Sequence, residues 1–119
     1  MCIRDRDFVD PPSGSVIANF EGTVNATTLT CNITDEGFQR STQWTLGNFR
    51  SGGSELQSVT SVPELFSISG DVTSDPRITF QNRLTILNLT YELDGVVVYC
   101  GTSEELQQAN FTLKVYRKN

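Results

Sequence analysis

Few residue types in this chain are equipped for chemistry, and the missing ones narrow the field as much as those present. There are three cysteines, Cys2, Cys31 and Cys100, and no histidine. Without an imidazole, the usual general base, the usual zinc ligand and the usual pH switch all disappear. No group of that kind stands ready to activate a serine or cysteine nucleophile. Lys114 and Lys118 sit on or just after the last strand-like run, outside any Ser-x-x-Lys motif, and no glycine-rich loop would cradle a phosphate. Glu104 and Glu105 are chain neighbours, not carboxylates opposed across a cleft. Asp71 and Asp75 flank Val72-Thr73-Ser74. Calcium gathers more oxygen ligands than that, so a polar turn is expected there. We therefore expect no enzymatic activity, no cofactor and no metal site. Thiol oxidation and modification of asparagine remain. Four Asn-x-Thr sequons, none with a central proline, begin at Asn25, Asn32, Asn88 and Asn110. Four in so short a chain favour a secreted glycoprotein with N-linked glycans, the alternative for any single one being a solvated polar patch.

The elements that must position these residues are short. A chain of 119 residues holds one domain and one core. No stretch keeps apolar positions at helical spacing over three turns. Short alternating runs separated by turn residues point instead to an all-β fold. Strands are expected at Val16–Ala18, Thr27–Ile33, Ser41–Leu46, Leu56–Thr60, Leu65–Ser69, Arg77–Phe80, Leu84–Leu87, Val96–Cys100 and Phe111–Tyr116. Alternation turns Leu29, Cys31 and Ile33 inward on one strand, Trp44 and Leu46 on another, and Phe111, Leu113 and Val115 on the last. Breaks fall at Asp10–Gly14, Glu21-Gly22, Thr34–Gly37, Arg50–Ser54, Gln81-Asn82 and Asp94-Gly95. About nine strands with such spacing suit a two-sheet Greek-key sandwich. The formal charge of −5 disfavours nucleic acid or an anionic membrane surface as partner. The longest apolar run, Gly95–Tyr99, falls far short of the ~20 residues of a membrane helix. No small-molecule substrate is expected either.

The first six residues, Met1-Cys2-Ile3-Arg4-Asp5-Arg6, are too charged for a secretory signal. They resemble the translation of a transposon adapter used in sequencing libraries, and we expect them to be non-native read-through. Residues 7–119 then form the domain. Setting Arg4, Arg6 and Asp5 aside moves the formal charge from −5 to −6, and setting Cys2 aside leaves an even pair of cysteines.

Trp44 follows Cys31 by 13 residues, and Cys100 follows Cys31 by 69. With this frame the chain resembles the variable-type immunoglobulin domain, from about Phe8 to Tyr116. The resemblance implies a Cys31–Cys100 disulfide between facing sheets with Trp44 packed in the core. Two buried free thiols in a cytosolic domain are the alternative. Such a bond places the protein in an oxidising, extracellular compartment. Arg77–Phe80 looks like the family's strand D, whose leading arginine, Arg77, would pair with Asp94. Leu84, Ile86 and Leu89 match strand E, and the gap from Trp44 to Arg77 leaves room for two extra strands. Two departures stand out. Val98 occupies the position where the family usually has the tyrosine of the tyrosine corner, and Gln107-Gln108-Ala109-Asn110 replaces the Gly-x-Gly bulge of antigen receptors. A receptor or adhesion-type domain fits better than an antigen-receptor chain.

Asn25, Asn32 and Asn88 map to one sheet or its rim, and Asn110 to the other. The sheet with fewer sequons is the freer surface, and the family commonly meets partners there. The outward residues expected on it are Gln43, Thr45, Val97, Tyr99, Thr112, Lys114 and Tyr116. The partner would be a protein ligand or a second, homophilic copy. The loop Thr102–Gln108, with Glu104 and Glu105 around its middle, would suit a basic partner or be a solvated acidic loop. The leading expectation is an extracellular recognition or adhesion module, a fragment of a larger cell-surface or secreted ectodomain. A structural spacer domain and the accessory domain of a secreted enzyme are the alternatives.

Overall fold

The computed structural model describes residues 8–49 and 55–117. The adapter-like segment with Cys2, the Arg50–Ser54 turn and Lys118 lie outside the described residues. Ten strands are found among the described residues: β1 (Phe8–Asp10), β2 (Ser15–Phe20), β3 (Val24–Asp35), β4 (Phe38–Arg40), β5 (Gln43–Gly47), β6 (Gln57–Ser58), β7 (Phe66–Ser69), β8 (Arg83–Asn88), β9 (Val97–Gly101) and β10 (Ala109–Tyr116). They form two sheets. The first runs β1-β3-β8-β7, with β4 paired to the far end of β3; the second runs β2-β10-β9-β5-β6. All pairs are antiparallel except β2 with β10.

The N-terminal strand is divided between the sheets for a backbone reason. Pro11 and Pro12 lack amide donors and cannot continue the ladder that β1 makes with β3. The Asp10–Pro11 peptide is cis, and Gly14 takes φ +90°, which a residue with a Cβ resists. The chain crosses over within this segment and re-enters as β2 beside β10.

The core lies where alternation put it. Leu29, Cys31, Ile33, Leu84 and Ile86 from the first sheet meet Trp44, Leu46, Val98, Cys100, Phe111, Leu113 and Val115 from the second, and all are buried. A fully buried aliphatic side chain contributes about 1.5–3 kcal/mol, so this layer is the main cohesive force. The Cys31–Cys100 disulfide crosses from β3 to β9, and Trp44 stands opposite Cys100 in the β5–β9 register. The paired cysteines and the buried tryptophan fit the expected immunoglobulin-like frame. Val98 faces in and is buried while Tyr99 is half-buried on the outside.

Four expectations are corrected. Arg77–Phe80 is not a strand. It closes a loop, residues 70–82, whose only ladder pairing among the described residues is one bridge between Val72 and Thr79. The Asp75 carboxylate accepts from the Arg77 amide at 3.0 Å and Thr73 Oγ1 caps the Asp75 amide at 3.1 Å, so side chains close this turn before a ladder can grow. The place beside β8 is taken by β7. The Arg77–Asp94 ion pair does not form. Arg77 pairs with Asp75 at 3.3 Å, and Asp94 accepts from the Val115 amide at 2.9 Å and lies 3.8 Å from Lys114 Nζ. Leu56–Thr60 yields only the two-residue β6 before a 3₁₀ turn at Val59–Ser61, because Ser58 caps that turn through its hydroxyl. Finally, β3 runs on to Asp35 and turns back into β4 through Glu36 and Gly37, both at positive φ as a two-residue hairpin requires.

Candidate functional site

The seven outward residues expected on the second sheet share one face by register. Thr45 stands opposite Tyr99, Tyr99 opposite Asn110, and Val97 opposite Thr112. Gln43, on β5, faces out beside Gly101. The parallel partner β2 extends the face. Val16 neighbours Thr112, Ala18 neighbours Lys114, and Phe20 neighbours Tyr116. Val16 is 62% exposed, Phe20 57% and Tyr116 48%, so β2 adds more apolar surface than β9 does.

These residues form two groups. At one end Tyr99 lies against the backbone of Gly47: a Cβ there would sit 2.9 Å from the tyrosine ring and 3.7 Å from Leu56. Only glycine leaves room for that ring, which explains why Tyr99 is half-buried. Thr45, expected as a contact residue, is only 8% exposed between Tyr99 and Ser58, and its hydroxyl is buried without a hydrogen-bond partner. It supports the face from beneath rather than presenting itself. At the other end Tyr116 packs on Phe20, ring centroids 6.0 Å apart, with Lys114 Nζ 5.6 Å above the tyrosine ring. Tyr116 lies six positions beyond Asn110, roughly 20 Å along the strand. The two tyrosines therefore cannot form one contact core.

Val16, Phe20, Gly47 and Leu56 were not anticipated on this face. The alternation of β2 did separate Val16 and Ala18 from Ile17, but which sheet a strand joins is not a local property of its sequence.

Beyond this face, the Thr102–Gln108 loop folds over Gly101, where a Cβ would approach the Glu105 carbonyl oxygen to 2.0 Å. The Thr102 amide donates to the Glu105 carbonyl at 2.9 Å. Between this loop and the β3–β4 hairpin lies a polar cleft lined by Asp35, Arg40, Gln43, Thr102 and Glu104, and a neighbouring one reaches Glu105 and Gln108. Arg40 and Asp35 pair across 3.5 Å.

A polar network lies on the first sheet. Asn82 is fully buried. Its Nδ2 donates to Asn32 Oδ1 and to Asp71 Oδ2 at 3.3 Å, and its Oδ1 accepts from the Asp71 amide at 3.2 Å. Its carbonyl accepts from the Cys31 amide at 2.8 Å. One step away Trp44 Nε1 donates to the Gln81 carbonyl at 2.7 Å and Thr42 Oγ1 to the Cys31 carbonyl at 2.6 Å. Together these bonds fasten the 70–82 loop to both sheets. Arg83, hydrogen-bonded at 3.1 Å, and then Asn82 hold the Asp71 carboxyl below its ordinary value; Arg77 does the same for Asp75. Both aspartates are thus committed to arginine. Among the described residues no cluster of acidic or cysteine side chains is arranged for a metal ion.

Asn25 and Asn88 are exposed near one another at the rim of the first sheet, where Asn88 pairs with Val24. Asn32 is half-buried on the outer face of β3 with its oxygen held by Asn82. Asn110 lies on the outer face of the second sheet. No helix among the described residues is long and apolar enough to cross a membrane. Compared with protein-family models and with curated proteins, the chain matches none.

Proposed function

We propose that this chain is a variable-type immunoglobulin-like recognition domain of an extracellular receptor or adhesion protein. It binds a protein partner, or a second copy of itself, non-covalently through the outer face of the second sheet. The division of the first strand between the two sheets, the inter-sheet disulfide and the buried Trp44 support the domain type. The disulfide also favours an oxidising compartment.

The contrast between the two outer faces carries the choice of surface. The first sheet presents Thr28, Thr30, Thr85, Ser67 and Ser69 outward, a hydroxyl-rich field whose apolar members are Phe8 at the edge and Leu87. The second sheet presents Val16, Phe20, Val97, Tyr99 and Tyr116 beside Lys114. Exposed aromatics are enriched at protein interfaces over the rest of the surface, and tyrosine is enriched where binding energy concentrates. The end loops are the competing location within the same reading, because Asp35, Glu104 and Glu105 would draw a basic partner.

Two assays of the oxidised domain test this. Sedimentation velocity over a concentration series reads self-association, and multimerised domain applied to cells reads a separate partner. The Tyr99→Arg variant is expected to lose binding in whichever assay is positive while melting within a few degrees of the parent. Unchanged binding by the variant rejects this end of the face, and loss of binding only on reversing Glu104 and Glu105 moves the contact to the loops.

A further inference from the structure

The last sequon stands inside the proposed contact face. Asn110 is the second residue of β10 and pairs with Tyr99 on β9. Its backbone amide donates to Ser13 Oγ at 3.1 Å, and its carbonyl accepts from the Gly14 amide at 2.8 Å. Both backbone groups therefore point toward the β2 side, away from β9. In an antiparallel ladder this makes Asn110 and Tyr99 a non-hydrogen-bonded pair, the kind whose side chains lie closest, with Cα atoms about 4.5 Å apart. Asn110 is half-exposed on the same face as Tyr99, and Thr112, the hydroxyl residue that completes the sequon, faces out beside Val97. The pinned backbone leaves the carboxamide no route to another face.

We infer that Asn110 is an N-glycosylation site whose glycan masks the Tyr99 end of the outer face, so that occupancy at one residue sets whether that end is open to a partner. In the modification the Asn110 Nδ2 forms a bond to the anomeric carbon of an oligosaccharide carried on a lipid diphosphate. The bond from that carbon to the diphosphate oxygen breaks, the lipid diphosphate departs with the electron pair, and the amide gives up one proton. No oxidant or reductant is needed. A branched sugar chain attached one residue pair from Tyr99 shields Tyr99 and Val97. Phe20 and Tyr116, roughly 20 Å further along, stay uncovered. Asn25 and Asn88 lie at the rim of the other sheet, at the end of the fold near Phe20 and away from Tyr99.

This inference rests on the recognition reading for its consequence but not for its test. The domain is secreted from a eukaryotic host, and peptide mass spectrometry locates the sugars. Tetranitromethane then nitrates accessible tyrosines in three samples: the glycosylated protein, the same folded protein after endoglycosidase trimming, and Asn110→Gln. Asn110 is expected to carry a glycan, and nitration of Tyr99 is expected to rise several-fold on trimming and in Asn110→Gln, with Tyr116 unchanged. An unmodified Asn110 in a protein glycosylated elsewhere overturns the inference. So does equal nitration of Tyr99 with and without the glycan. Strong shielding of Tyr99 combined with no effect of Tyr99→Arg on binding by the trimmed protein would instead reject the contact face and leave the mask standing.

Discussion

Asn82 is the residue whose removal is expected to cost most outside the apolar core. Its side chain makes three hydrogen bonds: two donated, to Asn32 and Asp71, and one accepted from the Asp71 amide. Alanine deletes all three. A net contribution of about 1 kcal/mol each gives about 3 kcal/mol, and a deserted group in a dry site adds about 1–3 kcal/mol more. The deserted partners here are not dry, because Asp71 is exposed and Asn32 half-exposed, so water replaces part of what is lost. The expected loss is therefore about 2–3 kcal/mol, which lowers the melting temperature of a domain this size by roughly 10–15 °C. Urea unfolding followed by circular dichroism reads it, with the denaturant slope unchanged if only the folded state is affected. The amide exchange of residues 70–82 is expected to quicken as well, since the loop loses its tie to β3. A loss below about 0.5 kcal/mol would refute the reasoning, because it would mean that Asn82 is buried without holding anything.

Gly101→Ala places a Cβ against the Glu105 carbonyl, at 2.0 Å unless the loop moves. Forced overpacking of this kind costs about 1–3 kcal/mol. We expect a lower melting point and faster amide exchange across residues 102–108, and an unchanged exchange profile would show that the loop does not rest on Gly101. Asp71 has its folded pKa lowered below 3.8 by Arg83 and Asn82. A depressed carboxylate stabilises the fold above the unfolded value, and the contribution fades as pH falls toward the folded one. Asp71→Asn should therefore flatten the decline in stability below about pH 4 while mattering little to its shape near neutrality. An identical acid limb in parent and variant would contradict the assignment.

Alternation was the most readable signal in this chain, because a period of two separates inside from outside one strand at a time. Leu29, Cys31 and Ile33 on β3, Trp44 and Leu46 on β5, and Phe111, Leu113 and Val115 on β10 all lie in the core as the pattern indicates. The same rule put Val98 in and Tyr99 out. It had no power over partners. Arg77-Ile78-Thr79-Phe80 has the composition of a strand, yet Asp75 and Thr73 close a turn around it and Ile78 is left 53% exposed. Asp94 lies the right number of residues before Cys100 for the expected ion pair, but its carboxylate caps the Val115 amide instead. Thr45 faces outward by pattern and is covered by its cross-strand neighbours, because exposure depends on what stands beside a residue. Asn82, inside what looks like a tight connection, gave no local sign that it would be the most deeply buried polar side chain on that loop.

The central claim is that the outer face of the second sheet, and not that of the first, meets the partner. A matched pair of arginine substitutions tests it most directly: Tyr99→Arg on β9 and Thr85→Arg on β8, both half-buried and outward on opposite sheets. Fluorescent multimers of the parent and both variants, each checked for equal melting temperature, are titrated against partner-bearing cells. Binding lost by Tyr99→Arg and kept by Thr85→Arg is the expected result. Binding kept by Tyr99→Arg and lost by Thr85→Arg would contradict the account.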